Sequence, residues 1–477
     1  MQKIKKEQRM STAIVWFRND LRVHDHEPLI KAIENHEFII PFYCFENKFF
    51  AKSKFGLGKT GNHRVQFLIE SIANLKQNLQ KLGGDLVVSA GEVKDEIKKL
   101  VDKHAVDDVY CYKDIHAEEI ESQKGVENIK NVIVKYSFGS TLFHINDLPF
   151  DFRETPKVFT QFRKELEKKS KIREQLPLPK EINSPKLLSN FGDIPSITDL
   201  GLKVPKPEKR AAINAKGGED EALARLNHYF FQSEELSFYK QKRNGLLGED
   251  YSSKLSLWLW NGCVSPRKIY WEVKRYEQEI KKNQSTYWLV FELIWRDYFK
   301  FISLKHGNAI FWEKGIKDQA YNKIENQDWF NKWANGITGI PFIDANMREL
   351  NATGFMSNRG RQNVASFLVK ELELDWRLGA AYFEEKLIDY DVASNYGNWM
   401  YIAGVGNDPR DRYFNIILQA KRYDSNGKYV KHWIPELNKL DSGIIHHPWT
   451  RKEILFTEQE LDYPKPIVEP EYWKKHY

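Results

Sequence analysis

Five short runs of β-branched and aromatic residues, separated by four helical patterns, occupy the first 140 residues of the chain. The runs are Ala13–Phe17, Phe38–Phe45, Asp85–Ser89, Asp108–Tyr112 and Asn131–Tyr136, and the helical patterns between them are His26–Asn35, His63–Leu82, Val93–His104 and Ala117–Asn128. The second pattern is the clearest, with Val65, Leu68, Ile72, Leu75, Leu79 and Leu82 at three- and four-residue spacing. Gly83-Gly84 then supplies the left-handed stop a helix end needs. Strand and helix periods alternating in this way predict a parallel, doubly wound α/β sheet. The turn after the first strand reads Arg18-Asn19-Asp20-Leu21-Arg22, with no G-x-G-x-x-G, which disfavours a dinucleotide held on the sheet in the Rossmann manner.

A chain of 477 residues exceeds one ordinary core, and the remainder follows different rules. From Thr141 to Pro207 eight prolines interrupt the pattern, leaving one basic helical insert at Phe159–Arg173, and this predicts a long connector draped over the surface. Beyond Gly217-Gly218 the periodicity is helical throughout, as in Glu219–Phe231, Pro266–Gln278, Tyr287–Ile302 and Gln362–Leu374. The expected organisation is an α/β domain over 11–140, a connector over 141–215 and an all-α domain over 216–477. Of 14 Trp, only Trp16 precedes residue 250, so the helical half demands large planar side chains. A thick core, a base-stacking surface and a pocket for a redox-active ring are the competing reasons.

Composition narrows the function classes. Charged residues at 29% and apolar residues at 41% exclude a disordered or collagen-like chain. Phe38–Phe45 is too short to cross a bilayer, and no apolar segment follows the basic opening Met1–Arg9, so neither a membrane anchor nor a secretory signal is expected. Cys44, Cys111 and Cys263 are scattered without metal-ligand spacing; free thiols in a reducing, cytoplasmic compartment are expected (organellar or nuclear in a eukaryote), with no metal. A net charge of +7 permits nucleic-acid binding without arguing for it.

Three constellations could carry chemistry. Asp250-Tyr-Ser-Ser-Lys-Leu-Ser256 places Ser252, Ser253 and Ser256 before an apolar run, where hydroxyls, free N–H groups and Lys254 suit a phosphate; simple helix capping is the plainer reading. Arg361, Asp389, Asp391 and Asn395 make a polar knot among apolar helices that could bind the edge of a heterocycle, or serve as a buried structural network. Glu292 sits among Leu289, Val290, Leu293 and Ile294, a candidate for a partly buried functional acid, although a solvated pair with Arg296 one turn away is the ordinary outcome.

Together these segments resemble the photolyase/cryptochrome family, in its cryptochrome-DASH subtype. The resemblance rests on Asn346–Ser366, Asp375-Trp-Arg377 and Ile388–Trp399, supported by Trp16–Arg22, Lys59–Arg64, Val158–Lys164, Arg243–Gly248 and Gly404–Arg410, and spans Ile14 to Trp449. It implies an α/β antenna domain and a helical domain holding FAD in a U shape. By motif, Tyr239, Ser252, Ser253, Leu255 and Ser256 would line the pyrophosphate and ribityl region. Asn358 and Arg361 would lie along the isoalloxazine, Arg361 paired to Asp389, with Asp389 and Asp391 at the ring's polar edge and Asn395 facing N5.

The resemblance further implies light-driven splitting of cyclobutane pyrimidine dimers flipped out of a strand. Glu292 and Asn358 would contact the dimer and Trp295 would stack on it; Arg243, Arg359 and Arg410 would meet phosphates. Gln362 and Tyr401 stand where duplex-active members carry Met and a second Trp, which implies a preference for lesions in single-stranded DNA, with RNA a second candidate. Trp399 and Trp376 match the inner members of the family's electron-transfer chain; family spacing puts Lys323 at the outer position, so Trp329 or Tyr321 would have to take over. Methenyltetrahydrofolate is the implied antenna, with Asp114 at the family's acidic position, unless Asp114 merely caps the next helix. A monomer is expected. Two rivals stand beside repair: a blue-light signalling protein, for which the short stretch after Trp449 leaves no long output tail, and a flavin-free binding module.

Overall fold

The computed structural model describes residues 11–185, 191–408, 410, 412–450 and 462–469. Strands β1 (Thr12–Phe17), β2 (Phe38–Glu46), β3 (Val87–Gly91), β4 (Asp108–Tyr112) and β5 (Ile133–Ser137) form one parallel sheet in the order β3-β2-β1-β4-β5. The order reverses between β1 and β4, and a ligand crevice is expected outside the strand ends at such a switch point. The central strand explains why a near-continuous apolar run was needed. Ala13, Val15 and Phe17 pack with Leu29 and Ala32 of α1 (Glu27–Asn35) and with Phe67, Ile72, Leu75 and Leu79 of α2 (Asn62–Lys81). Ile14 and Trp16 face the other way, onto Val93, Ile97 and Val101 of α3 (Val93–His104) and Val126 of α4 (Ala117–Glu127). Both faces are buried, as parallel sheets require.

Among the described residues beyond Gly218 every regular element is helical, with no strand there. The long helix is Gln284–His306, started by a capping box in which Asn283 accepts from the Thr286 N–H and the Thr286 hydroxyl accepts from the Asn283 N–H. The expected amphipathic helix over Gln362–Leu374 instead runs Asn358–Ser366, because Ser357 accepts from the Gly360 N–H and so caps it earlier; a π turn, Phe367–Glu371, then ends it. Glu219–Asn227 likewise passes into a π turn, His228–Gln232.

The sheet and the helices are joined by buried polar contacts. Arg267 grips Asp25 at 2.6 and 3.0 Å, Asp297 accepts from the Leu142 and Phe143 N–H groups at 2.9 and 2.8 Å, and Glu219 accepts from Val23 and His24. Gly262 has φ +69°, and a Cβ there would lie 2.2 Å from the Asn19 carbonyl, so this junction closes only around a glycine. Several tryptophans serve as core: Trp258, Trp333, Trp376 and Trp433 are fully buried. No described helix is long and apolar enough to cross a membrane, and no described cluster of His, Cys, Asp and Glu could hold a metal ion.

Candidate functional site

Within the helical half lies a cavity of about 510 Å³ whose wall includes Tyr239, Arg243, Ser252, Ser253, Leu255, Ser256, Glu292, Trp295, Asn358, Arg361, Gln362, Asp389, Asp391, Asn395, Trp399 and Tyr401. Most residues singled out from the helical half of the sequence therefore converge on one space; Arg359, Arg410 and Trp376 do not line it.

The serine turn is shaped from behind. Lys254 adopts a left-handed backbone (φ +54°), a conformation that costs an L-residue about 1 kcal/mol. Its ammonium is spent on the carbonyls of Gly248 and Glu249, and burial pushes its pKa down to about 7. Lys254 thus braces the turn, which corrects its expected role as a free phosphate-binding charge. Arg225 ties back the Ser252 and Ser253 carbonyls at 3.1 and 3.0 Å.

The polar knot is real and ordered. Arg361 donates from Nη2 to both Asp389 oxygens at 2.8 and 2.9 Å and from Nε to the Met356 carbonyl at 2.9 Å, so one guanidinium nitrogen straddles a buried carboxylate. Asp391 caps helix Val392–Ala403 by accepting from the Ser394 N–H at 2.9 Å, with the Lys300 ammonium 3.3 Å away. Burial opposes its ionisation, yet Lys300 and Arg296 hold the carboxyl well below the usual range. The Asn395 amide donates to the Ala380 carbonyl at 3.0 Å, so its oxygen is the end left for the cavity. Trp399 lies flat against helix Trp376–Lys386: a Cβ on Gly379 would come within 2.1 Å of its ring.

The second part of the wall differs from expectation in its pairing. Glu292 forms an ion pair with Arg243, whereas Arg296, its expected partner one turn away, turns aside to the carbonyls of Ser140 and Leu259. Burial pushes the Glu292 carboxyl up, with Arg243 opposing. Trp295 stacks on Phe159 of helix Phe159–Lys169 with centroids 3.6 Å apart and planes at 10°, and meets Tyr401 edge-on at 6.0 Å. The Gln362 side-chain oxygen is buried in the wall without a partner. Of the other two cations expected to meet phosphates, Arg359 lies over the Tyr423 ring at 4.5 Å and donates to Asn244, while Arg410 is exposed beside Asp408.

Behind Trp399 the Trp333 ring stands 6.4 Å away at 72°, a neighbour sequence reading missed; its position one turn after Trp329 on helix Gln327–Asn335 was the available signal. Trp376 donates to the Glu313 carbonyl and lies 6.0 Å from Tyr396. Lys323 binds Glu313 and Asp375, and Tyr321 donates to Asp375 at 3.0 Å.

A second cavity of about 540 Å³ opens between the sheet and the helices, at the carboxyl ends of β1, β2 and β4, where the switch point predicts a ligand. Asp114 lines it but is ion-paired with Arg18. It caps nothing: the residue before α4 is His116, without a side-chain capping bond. Burial together with the Asp114 charge pushes the neighbouring Glu119 carboxyl up to about 8, burial raises Glu384 to about 7, and burial lowers His116 to about 3. Arg64 Nη1, His116 Nε2 and Trp260 Nε1 are buried there without partners. Arg296, Tyr390 and Asp391 belong to the walls of both cavities.

Comparison with known proteins defines the class first. Residues 288–476 match the FAD binding domain of DNA photolyase, and residues 13–182 match the DNA photolyase family. The chain is 48% identical to a cryptochrome DASH of Gloeobacter violaceus over 96% of its length and 93% of the relative's. It is 45% identical to a cryptochrome DASH of Danio rerio over 98% and 92%. The solved structure of a Synechocystis cryptochrome superposes with a TM-score of 0.94 at 44% identity, covering 100% of this chain and 99% of that one. A class III photolyase of Agrobacterium tumefaciens superposes with 0.84 at 28% identity, covering 100% and 98%. The chain belongs to the photolyase/cryptochrome family, and within it to the cryptochrome-DASH type. It is therefore a flavoprotein of that family, with FAD as its cofactor.

Proposed function

We propose that this protein splits cyclobutane pyrimidine dimers in single-stranded DNA under blue light. The carrying observation is that Glu292 and Trp295 share one cavity with Arg361, Asp389 and Asn395, so a redox ring and a lesion would meet in a single space. The donor set suits the ring. Arg361 neutralises Asp389 at one edge, Asp391 stays ionised beside Lys300, and the Asn395 oxygen offers an acceptor to a protonated ring nitrogen. Serines 252, 253 and 256 and Tyr239 would hold the pyrophosphate and ribityl parts. FAD held there would supply light-driven one-electron chemistry to a dimer in the same cavity.

The chain's own residues do the rest. Trp295, backed by Phe159, presents a flat apolar platform for a flipped pair of bases, and base–aromatic stacking is worth about 1–3 kcal/mol per base. Glu292 and Asn358 would hydrogen-bond the pyrimidine edges, and Gln362 with Tyr401 would make the pocket more polar than a Met and a Trp would. A polar pocket pulls less strongly on a stacked, paired base, so single strands would be preferred. Replacing these two together, Gln362→Met with Tyr401→Trp, tests that reading. Dimer splitting in duplex should rise toward that in single strands; an unchanged ratio would remove both residues from substrate choice. RNA carrying the same lesion is the comparison substrate.

In the second cavity we propose methenyltetrahydrofolate as antenna. With Asp114 committed to Arg18, the Glu119 carboxyl in the same wall would meet the donor edge of a pterin. Photoreduction would begin at Trp399 and continue through Trp376 or, because Lys323 stands at the outer position, through Trp333 toward half-exposed Trp329.

A further inference from the structure

The ion pair between Arg243 and Glu292 poses a problem for any carboxyl meant to donate a hydrogen bond. An ionised Glu292 can only accept, and beside a pyrimidine carbonyl gaining negative charge it would repel. We infer that Arg243 is a charge gate over Glu292: it pairs with the carboxylate while the cavity is free, and exchanges onto a backbone phosphate when a strand docks, whereupon Glu292 takes a proton from solvent and turns an O–H toward the substrate. This rests on the proposed reading of the cavity as a lesion site.

Geometry makes the exchange feasible. Arg243 directly follows the short helix Tyr239–Lys242, and both members of the pair keep some solvent contact, their side chains being 17% and 30% exposed. The other cations on that helix have their own partners: Lys242 pairs with Glu235, and Lys240 lies over Trp288 while donating to Gln284. Arg359, a neighbouring cation outside the cavity wall, crowds Arg243 by like charge and is held over Tyr423. A phosphate offers the guanidinium the same bidentate contact that a carboxylate does.

What surrounds Glu292 decides its state once Arg243 leaves. Facing it are the Tyr239 phenol from the neighbouring helix and the Trp288 indole from its own; Arg296 points to other partners. Among the described residues, Arg243 is the only cation that acts on this carboxyl. Burial already drives this carboxyl up with Arg243 present, and losing the adjacent guanidinium removes the main opposing influence and drives it further up. The sign of the linkage follows. The carboxyl binds its proton more tightly in the complex than in the free protein, so docking takes up a proton. Affinity then falls as pH rises, by up to about tenfold per pH unit between the two values.

Two measurements test the gate. In calorimetric titrations of the flavin-loaded protein with a dimer-containing single strand, run in buffers of different ionisation enthalpy, the native protein should take up as much as about one proton per strand near neutral pH. Glu292→Gln should bind without uptake. Tight binding of the native protein with no uptake, or equal uptake by Glu292→Gln, overturns the proposal. Infrared spectra of the free protein then separate the gate from the lesion reading. Arg243→Met should show an added protonated-carboxyl band at neutral pH, over those of Glu119 and Glu349, that the native protein and Arg243→Met/Glu292→Gln lack, flavin content serving as the check on folding. Without that band the gate fails whatever binds; with it, and no affinity for dimers, the lesion reading fails and takes the phosphate exchange with it.

Discussion

Removing Arg361 should be among the most damaging single changes in the flavin cavity, and its size can be worked from the pair it breaks. Two N–H···O contacts of 2.8 and 2.9 Å join Arg361 to an Asp389 carboxylate whose side chain is only 2% exposed. At about 3 Å and an effective dielectric constant near 20, the gross attraction is roughly 5–6 kcal/mol. Breaking a buried pair from one side usually costs about 3–5 kcal/mol, because the surviving charge is left stranded. The Arg361 side chain is a quarter exposed, which admits water to the orphaned carboxylate, so Arg361→Met should lose about 3 kcal/mol, the lower end of that range. Urea unfolding of the flavin-free protein, followed by tryptophan fluorescence, reads this directly. Arg361→Met/Asp389→Asn should recover part of the loss, since neither charge is then stranded. A loss below about 0.5 kcal/mol for Arg361→Met would refute the argument, since that is what an exposed pair contributes.

Other perturbations have equally definite outcomes. Trp333→Phe should slow photoreduction of the flavin in transient absorption, and Trp329→Phe should remove the terminal radical signal; an unaltered radical in both would confine the route to Trp376. Glu119→Gln should lower the folate content of purified protein more than Asp114→Asn does, read from near-ultraviolet absorbance; the reverse order would return the antenna contact to Asp114. Burial pushes Glu349 up to about 8, with the Tyr429 hydroxyl opposing at 2.6 Å. Its folded pKa lies above the unfolded value near 4.3, so stability should decline as pH rises from about 4.3 to 8, and Glu349→Gln should flatten that slope in denaturant titrations. Gly262→Ala should destabilise the sheet–helix junction by more than about 1 kcal/mol, since both the positive φ and the Asn19 carbonyl forbid a Cβ; a neutral thermal shift would contradict this.

The sheet was legible because each strand and helix announces itself locally. β1 is buried at every position and apolar from Ala13 to Phe17, α2 carries its leucine ladder, and Gly83 adopts the φ of +86° expected of a helix stop. The flavin-side residues were legible because two ordered motifs bring Arg361 to Asp389 and set Asp391 and Asn395 on one helix start. Pairings between segments far apart in sequence were not. Arg243 and Glu292 lie 49 positions apart, and nothing in either segment shows that Arg296 will be drawn away to Ser140 and Leu259. Asp114 reads as a free acid until the fold swings Arg18 from the end of β1 beside it. The second cavity exists only where the sheet's strand ends meet Lys300, Glu384 and Tyr390, so no local pattern encodes it. Helix ends shifted for a physical reason as well: Ser357 and Asn283 are stronger caps than the apolar periodicity alone reveals.

The proposed repair activity is tested most directly by counting dimers lost from a single-stranded oligonucleotide under blue light, with native protein and Glu292→Ala side by side. The account predicts light-dependent loss with native protein, no loss in the dark, and at least a tenfold lower yield for Glu292→Ala at equal flavin content, since about 1.4 kcal/mol of lost stabilisation suffices. Equal yields from the two proteins would take Glu292 out of the chemistry, and no loss with either would contradict repair altogether.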